Sequence, residues 1–168
     1  MGLTVERLSS KGREVQSDDL GDIARAAVSE ASKAAGRPLV VEDTGLFIAS
    51  LNGFPGPYAN YAYRKLGLDG VLAMLEGSKN RDAKFESAVA YCRPGSKPKV
   101  FHGFLLGRIG KRALGSNGFG FDPLFVPRGD KVTLAEMSLA RKCSLSHRAI
   151  AIRKFGEWYL RSTLGQTL

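Results

Sequence analysis

Residues 40–61, VVEDTGLFIASLNGFPGPYANY, constrain the fold of this chain more than any other segment. An apolar run that begins at Leu39 ends in two adjacent carboxylates, Glu42 and Asp43, and a turn rich in glycine and proline follows at 53–57. Glycine and proline favour turns over regular elements, so we expect a loop there. A buried strand that delivers carboxylates beside such a loop predicts an α/β protein with a metal or phosphate site.

Hydrophobic periodicity predicts an α/β fold with a mixed sheet. The first helix covers Leu20 to Ala35, capped by Asp18 and Asp19 and ended by Gly36 and Pro38. The sequence further predicts strands at 38–41, 47–51, 83–91, 99–109 and 124–126, and helices at 58–66, 68–75, 133–141 and 146–162.

Length and charge restrict the function. The 168 residues predict a single domain covering 1–168. The formal charge is +9, from 25 Lys and Arg against 16 Asp and Glu, which favours an anionic partner, either nucleic acid or a polyphosphate. The basic residues are dispersed, as on an ordinary solvated surface, so nucleic acid is the less favoured partner. Cys92 and Cys143 indicate free thiols in a reducing cytoplasm, and no apolar run is long enough to predict a membrane span.

Glu14 and Asp43 are candidate ligands of a metal ion. A helix followed by a returning strand can bring them together, and Mg²⁺ prefers few carboxylates, several waters and substrate phosphates. Asp43 would also act as general base for attack on phosphorus. Taken singly, such carboxylates are more often structural. In that alternative Glu14 and Glu42 are surface charges and Asp43 caps a turn.

Two further segments carry candidate binding groups. The loop 118–123 alternates small and aromatic residues, so an aromatic face could contact a planar base while Asp122 accepts its hydrogen bonds. Its alternative is a glycine-rich turn before a core strand. Ser146, His147 and Arg148 open a predicted helix where an anion or carbonyl oxygen could bind, and Lys142 adds a charge suited to phosphate. Their alternatives are a plain N-cap and a structural histidine.

Together these segments resemble the inosine triphosphate pyrophosphatase family, and its archaeal members most closely. The resemblance covers residues 2–159, and its motifs are VEDTGLFI (41–48), GFPGPY (53–58), GFGFDPLFVP (118–127), AEM (135–137) and LSHRAIA (145–151). It implies an elongated α/β fold with two lobes about a cleft, usually a homodimer. It also implies Mg²⁺-dependent hydrolysis of ITP, dITP and XTP to the monophosphate and pyrophosphate.

The resemblance assigns roles to individual residues. It implies that Asp43 is the catalytic acidic residue and a metal ligand, with Glu14 the other metal carboxylate. The substrate-binding residues that it implies are Thr44, Phe119, Gly120, Phe121, Asp122, Lys142, His147 and Arg148. His147 or Arg148 would donate to the 6-oxo group of hypoxanthine or xanthine. Adenine has a 6-amino donor there, which would leave buried donors unpaired.

The chain departs from the family at its start. Family members begin with a strand and a Ser/Thr-x-Asn-x-x-Lys loop that cradles the triphosphate, whereas this sequence begins at what resembles their second strand, residues 3–7. We therefore expect either a start codon upstream or a truncated, less active product. Two alternatives to the implied activity are a silent relative that binds nucleotides or nucleic acid, and a related pyrophosphatase with another base preference.

Overall fold

The computed structural model of this chain describes residues 5–8 and 15–164. Its elements are α1 (Leu20–Ala35), β1 (Leu39–Ile48), β2 (Pro55–Gly56), α2 (Ala59–Met74), β3 (Asp82–Cys92), β4 (Lys99–Ile109), β5 (Phe125–Pro127), α3 (Leu139–Leu145) and α4 (His147–Leu164). The predicted α/β class is confirmed. Residues 5–8 lie in no regular element, and the rest of the strand expected near the start is outside the described residues.

The strands form one sheet in the order β2-β1-β3-β4-β5. All pairings among these described strands are antiparallel, whereas the sequence predicts a mixed sheet. The connections explain the difference. Ile48, at the end of β1, pairs with Ala83, near the start of β3. The segment between them, which contains α2, therefore begins and ends at the same end of the sheet, and the two strands run antiparallel. Gly67 has φ 66° and ψ −167° and kinks α2, which confirms the predicted division into two helices.

β1 is one continuous strand where the sequence predicts two, at 38–41 and 47–51. Glu42 and Thr44 interrupt the apolar pattern, but their side chains find polar partners on the sheet, so the strand continues through them. Gly45 allows β2 to approach closely, since a Cβ atom there would lie 2.7 Å from the carbonyl oxygen of Gly56.

The capping box at Thr133 and Glu136 is present, but the helix that it was predicted to open is interrupted. The box closes a single 3₁₀ turn, Leu134–Glu136, and Met137 returns to extended backbone with ψ 152°. Ser138 then caps α3 by accepting a hydrogen bond from the N–H of Arg141. Two short helices therefore replace the one predicted at 133–141.

Helices cover both faces of the sheet. On one face Leu20, Ala24 and Val28 of α1 pack against β1 and β3, with Asp19 as N-cap and Gly36 in the left-handed conformation, as predicted. On the other face α4 packs against β3 and β4 through Ala151, Phe155 and their aromatic neighbours. None of the helices in the described part of the chain combines the length and hydropathy needed to cross a membrane.

The first turn of α4 lies unusually close to the sheet at Gly103 of β4. A Cβ atom at Gly103 would collide with the carbonyl oxygen of His147 and lie 2.6 Å from the amide nitrogen of Ala151. Both of these are backbone atoms of α4, so the helix could not avoid a side chain by changing a rotamer. The missing side chain of Gly103 therefore determines how near His147 and Arg148 come to the strands.

We expect Gly103→Ala to destabilise the protein by about 1–3 kcal/mol, because the added methyl group must push α4 off the sheet. Gly110→Ala is the matched control, since its Cβ atom would find its nearest neighbours at 3.4 Å. The control should change stability by less than about 0.5 kcal/mol. Urea denaturation of both variants measures the difference, and equal stabilities would show that α4 does not depend on this contact.

Candidate active site

Glu42 is the centre of a hydrogen-bond network on the α4 face of the sheet. Its Oε1 atom accepts hydrogen bonds from the hydroxyl of Ser87 at 2.7 Å and from Nε of Arg148 at 3.0 Å, and a third from the hydroxyl of Thr44. Burial alone would raise the pKa of Glu42, but the hydrogen bonds from Thr44, Arg148 and Ser87 lower it below its ordinary value. Glu42 is therefore a carboxylate that fixes the guanidinium of Arg148 on the sheet.

Two cations and one aromatic ring converge beside this network. Phe119 is 64% exposed, with the guanidinium carbon of Arg148 at 5.5 Å from its ring centroid and Nζ of Lys142 at 4.6 Å. Lys142 forms an ion pair with the buried carboxylate of Asp122, which also accepts the N–H of Phe119 at 2.7 Å. An exposed ring with two anchored cations beside it is suited to a planar, anionic ligand.

His147 is buried within the same region, with 7% of its surface exposed. Its ring stacks on Phe85 at 4.8 Å, and neither ring nitrogen has a hydrogen-bond partner among the described residues. The pKa of His147 is lowered to about 4, chiefly by burial and also by the positive charges of Arg148 and Lys142, while Glu42 opposes them. The ring is therefore neutral at pH 7. Buried polar atoms are rarely left unpaired, so these two nitrogens indicate a place for a ligand.

The loop that carries Phe119 is shaped by its glycines. A Cβ atom at Gly118, where φ is 83°, would collide with the carboxylate of Asp122 and lie 2.9 Å from Nζ of Lys142. Gly120, with φ 59°, turns the chain so that Phe121 is buried against Tyr63 at 5.4 Å. The predicted alternation of small and aromatic residues thus places one ring outside and the next in the core.

The arrangement defines what we call the Arg148 cluster. Its members are Glu42, Thr44, Ser87, Phe119, Asp122, Lys142, His147 and Arg148. The cluster brings together residues predicted as substrate-binding that lie far apart in sequence, with Gly120 and Phe121 in its supporting loop. It leaves an exposed aromatic ring, fixed cations and an unpaired imidazole on one face of the sheet.

Comparison with known proteins identifies the chain's relatives. The sequence profile of the Ham1 family matches residues 2–158. This chain belongs to the Ham1 family. The resemblance to inosine triphosphate pyrophosphatases that the motifs predict is therefore confirmed.

Two relatives of this Ham1-family chain have the same name, and a solved structure of the family has a similar fold. It is 45% identical over 165 residues to the dITP/XTP pyrophosphatase of Methanopyrus kandleri, covering 98% of this chain and 88% of that protein. It is 46% identical over 156 residues to the dITP/XTP pyrophosphatase of Saccharolobus solfataricus, covering 93% and 81%. The solved structure of the Staphylococcus aureus Ham1 protein superposes with a TM-score of 0.84 at 28% identity, covering 91% of this chain and 82% of that one.

β1 of the Ham1-family chain presents its two carboxylates to opposite faces of the sheet, because side chains alternate along a strand. Glu42 and Thr44 face α4. Asp43 pairs with Ala88, which packs in the cluster around α1, so Asp43 lies on the α1 face. Asp43 accepts the N–H of Thr44 at 2.9 Å. The structure therefore places Asp43 next to the Arg148 cluster along the strand but not within it.

The predicted pairing of Glu14 with Asp43 at a metal ion stays a prediction, because Glu14 lies outside the described residues. Within residues 5–8 and 15–164, no group of three or more His, Cys, Asp or Glu side chains is arranged to hold a metal ion. Mg²⁺ needs no such group, since it is commonly bound by one or two carboxylates together with waters and substrate phosphates. The carboxylate of Asp43 fits that mode of binding.

The sequence did not predict the roles of Glu42 and Ser87 in the Arg148 cluster, or that of Gly103, which lets α4 approach the sheet. Glu42 is predicted to end a buried strand beside Asp43 and is a surface charge only in the structural alternative, so it is given no role in the site, and Ser87 and Gly103 are not singled out. The alternation of a strand could have placed Glu42 and Thr44 on one face. Nothing in the sequence connects Glu42 to Arg148, which lies 106 residues further along the chain.

We expect Glu42→Gln to destabilise the protein by about 1–2 kcal/mol, because the amide cannot replace a charged hydrogen-bond acceptor for Arg148 at this partly exposed site. Glu76→Gln is the matched control, since Glu76 is exposed and, among the described residues, takes part in no ion pair. Chemical denaturation measures both variants. If they are equally stable, Glu42 does not hold Arg148.

His147 gives the protein a predicted pH dependence. The folded pKa is about 4 against an ordinary value of 6.5, so the unfolded state binds more protons between these two values. The stabilising contribution of the neutral ring is present above pH 6.5 and is lost as the pH falls towards 4. We expect the free energy of unfolding to fall over this window in the wild type but less in His147→Phe, measured by urea denaturation at each pH. A parallel fall in both proteins would contradict the assignment.

Proposed function

We propose that this chain hydrolyses nonstandard purine nucleoside triphosphates, with dITP and XTP as substrates, to the nucleoside monophosphate and pyrophosphate. The observation that carries the proposal is the buried His147, whose unpaired ring nitrogens lie in a cluster with an exposed aromatic ring and two fixed cations. Membership of the Ham1 family and the names of the relatives support the same substrates.

The purine base would bind in the Arg148 cluster. Its ring would lie against Phe119, whose exposed surface has no other described role. The 6-oxo group of hypoxanthine or xanthine would accept hydrogen bonds from Arg148 or from the N–H of the neutral His147. A 6-amino group in the same place would set donor against donor, and the unpaired buried donors would disfavour adenine.

The triphosphate would extend from Thr44 towards Asp43. These residues are neighbours on β1, so their Cα atoms are about 3.8 Å apart, and a ligand that crosses the strand edge passes from one to the other. Lys142 and Arg148 would balance the negative charge of the nucleotide from the α4 face.

The reaction breaks the bond between the α-phosphorus and the bridging oxygen, and a water oxygen takes the place of the pyrophosphate. Asp43 would accept a proton from that water, as general base. We propose that Asp43 also holds Mg²⁺, with Glu14 as the second carboxylate. When bound, the metal would neutralise charge on the phosphates. Glu42 would instead position Arg148, because its oxygen atom Oε1 accepts hydrogen bonds from Arg148, Ser87 and Thr44.

We further propose that the enzyme is a cytoplasmic homodimer, as the family resemblance implies. Cys92 and Cys143 are both free thiols, which is consistent with a reducing compartment. Light scattering after size-exclusion chromatography tests the dimer, and a mass equal to one chain of 18.1 kDa would reject it.

The function is tested by incubating the purified chain with Mg²⁺ and dITP, XTP, dATP or dGTP and measuring pyrophosphate separately from orthophosphate. We expect pyrophosphate from dITP and XTP, with dATP a much poorer substrate. Asp43→Asn should lower kcat by at least about 10²-fold, because it loses both the base and a metal ligand. Asp69→Asn, at an exposed position on α2 that is not part of the Arg148 cluster, is the control and should retain activity. Orthophosphate as product, or a fully active Asp43→Asn, would contradict the proposal.

A further inference from the structure

A second group of aromatic side chains lies on α4, away from the Arg148 cluster. Trp158 and Tyr159 contact Tyr91 of β3, each with ring centroids 5.5 Å apart. The α-helical rise of about 1.5 Å per residue places Trp158 about 17 Å from His147 along the helix axis. The two regions therefore share a face of the sheet but not a pocket.

These rings form the wall of a groove of about 390 Å³, which we call the Trp158 groove. The cations of the groove are Arg93 and Lys97, from the connection between β3 and β4, and Lys99, the first residue of β4. All three of these side chains are exposed, and Trp158 is half-buried. No carboxylate is found among the described residues that line the groove. The groove thus combines positive charge with an aromatic surface.

The cations of the Trp158 groove differ from several others in the protein. Five basic side chains elsewhere are neutralised by carboxylates, namely Arg25, Lys84, Arg141, Lys142 and Arg148. No ion pair in the described part of the chain involves Arg93, Lys97 or Lys99. Their charge is therefore available to an anion from outside.

Two contacts hold the cations against the rings. Nε of Arg93 donates a hydrogen bond to the hydroxyl of Tyr91 at 2.8 Å, and Nζ of Lys99 lies 4.7 Å from the ring centroid of Trp158. A ligand that binds at the cations therefore also meets the aromatic wall. A nucleotide complements this groove, because its phosphate is negatively charged and its base offers a flat surface for stacking.

We propose that the Trp158 groove binds single-stranded nucleic acid, with phosphates at Arg93, Lys97 and Lys99 and an unpaired base against Trp158. Phosphates release counterions when they bind to cations that are not already neutralised. A duplex keeps its bases stacked inside, so it could not use the aromatic wall. A free mononucleotide could engage only part of a row of exposed cations. This binding is separate from the proposed hydrolysis and does not depend on it.

The sequence contains a single tryptophan, so Trp158 fluorescence reports on this groove directly. The experiment titrates the protein with a twelve-residue oligothymidylate at several salt concentrations and follows the emission of Trp158. We expect quenching, with affinity falling about 20-fold between 50 and 200 mM salt if three phosphates are contacted. The variants described below should hydrolyse dITP at the same rate as the wild type.

The test variant is Arg93→Gln/Lys97→Gln, which leaves Lys99 on the Trp158 ring. The control is Lys33→Gln/Lys79→Gln, which removes the same charge from exposed positions outside the groove. We expect the test variant to bind at least about 5-fold more weakly and its log–log salt slope to fall by about 1.4, with the control unchanged. Equal weakening of both variants would show bulk attraction only. Tight binding of a duplex or of thymidine monophosphate, or no quenching at all, would also overturn the proposal.

Discussion

The contact between the first turn of α4 and Gly103 determines the geometry of the candidate active site. Because β4 has no side chain at this position, backbone atoms of His147 and Ala151 approach the strand more closely than a Cβ atom would allow. That approach buries His147 against Phe85 and brings Arg148 to the carboxylate of Glu42. Gly103, which has no functional side chain, therefore determines the positions of His147 and Arg148.

The residues of β1 that are proposed to act in base binding and in catalysis lie on opposite faces of the sheet. Glu42 and Thr44 face α4 and hold the guanidinium of Arg148, which would meet the base, whereas Asp43 faces α1. A substrate with a base at one end and phosphates at the other suits this division, since each end needs different partners. The charge on Glu42 positions Arg148, and the adjacent charge on Asp43 is proposed to serve metal binding and proton transfer.

Much of the fold could be predicted from the sequence. Helical periodicity between Asp19 and Gly36 predicts α1, and alternation on either side of a Pro-Gly turn predicts the β3–β4 hairpin. The predictions were wrong where a tertiary contact overrides a local pattern. β1 continues through polar residues because Ser87 and Arg148 satisfy Glu42, and the helix predicted from Thr133 is interrupted at Met137. The motifs predicted most members of the Arg148 cluster, but not Ser87 and not the role of Glu42, whose partners Ser87 and Arg148 are distant in sequence.

The most direct test of this account is a crystal structure with Mg²⁺ and a dITP analogue whose α–β bridging oxygen is replaced by an imido group. The account predicts the purine against Phe119, with its 6-oxo group within hydrogen-bond distance of His147 or Arg148 and the phosphates near Asp43. A purine bound on the α1 face, or at any place out of hydrogen-bond distance of both His147 and Arg148, would contradict it.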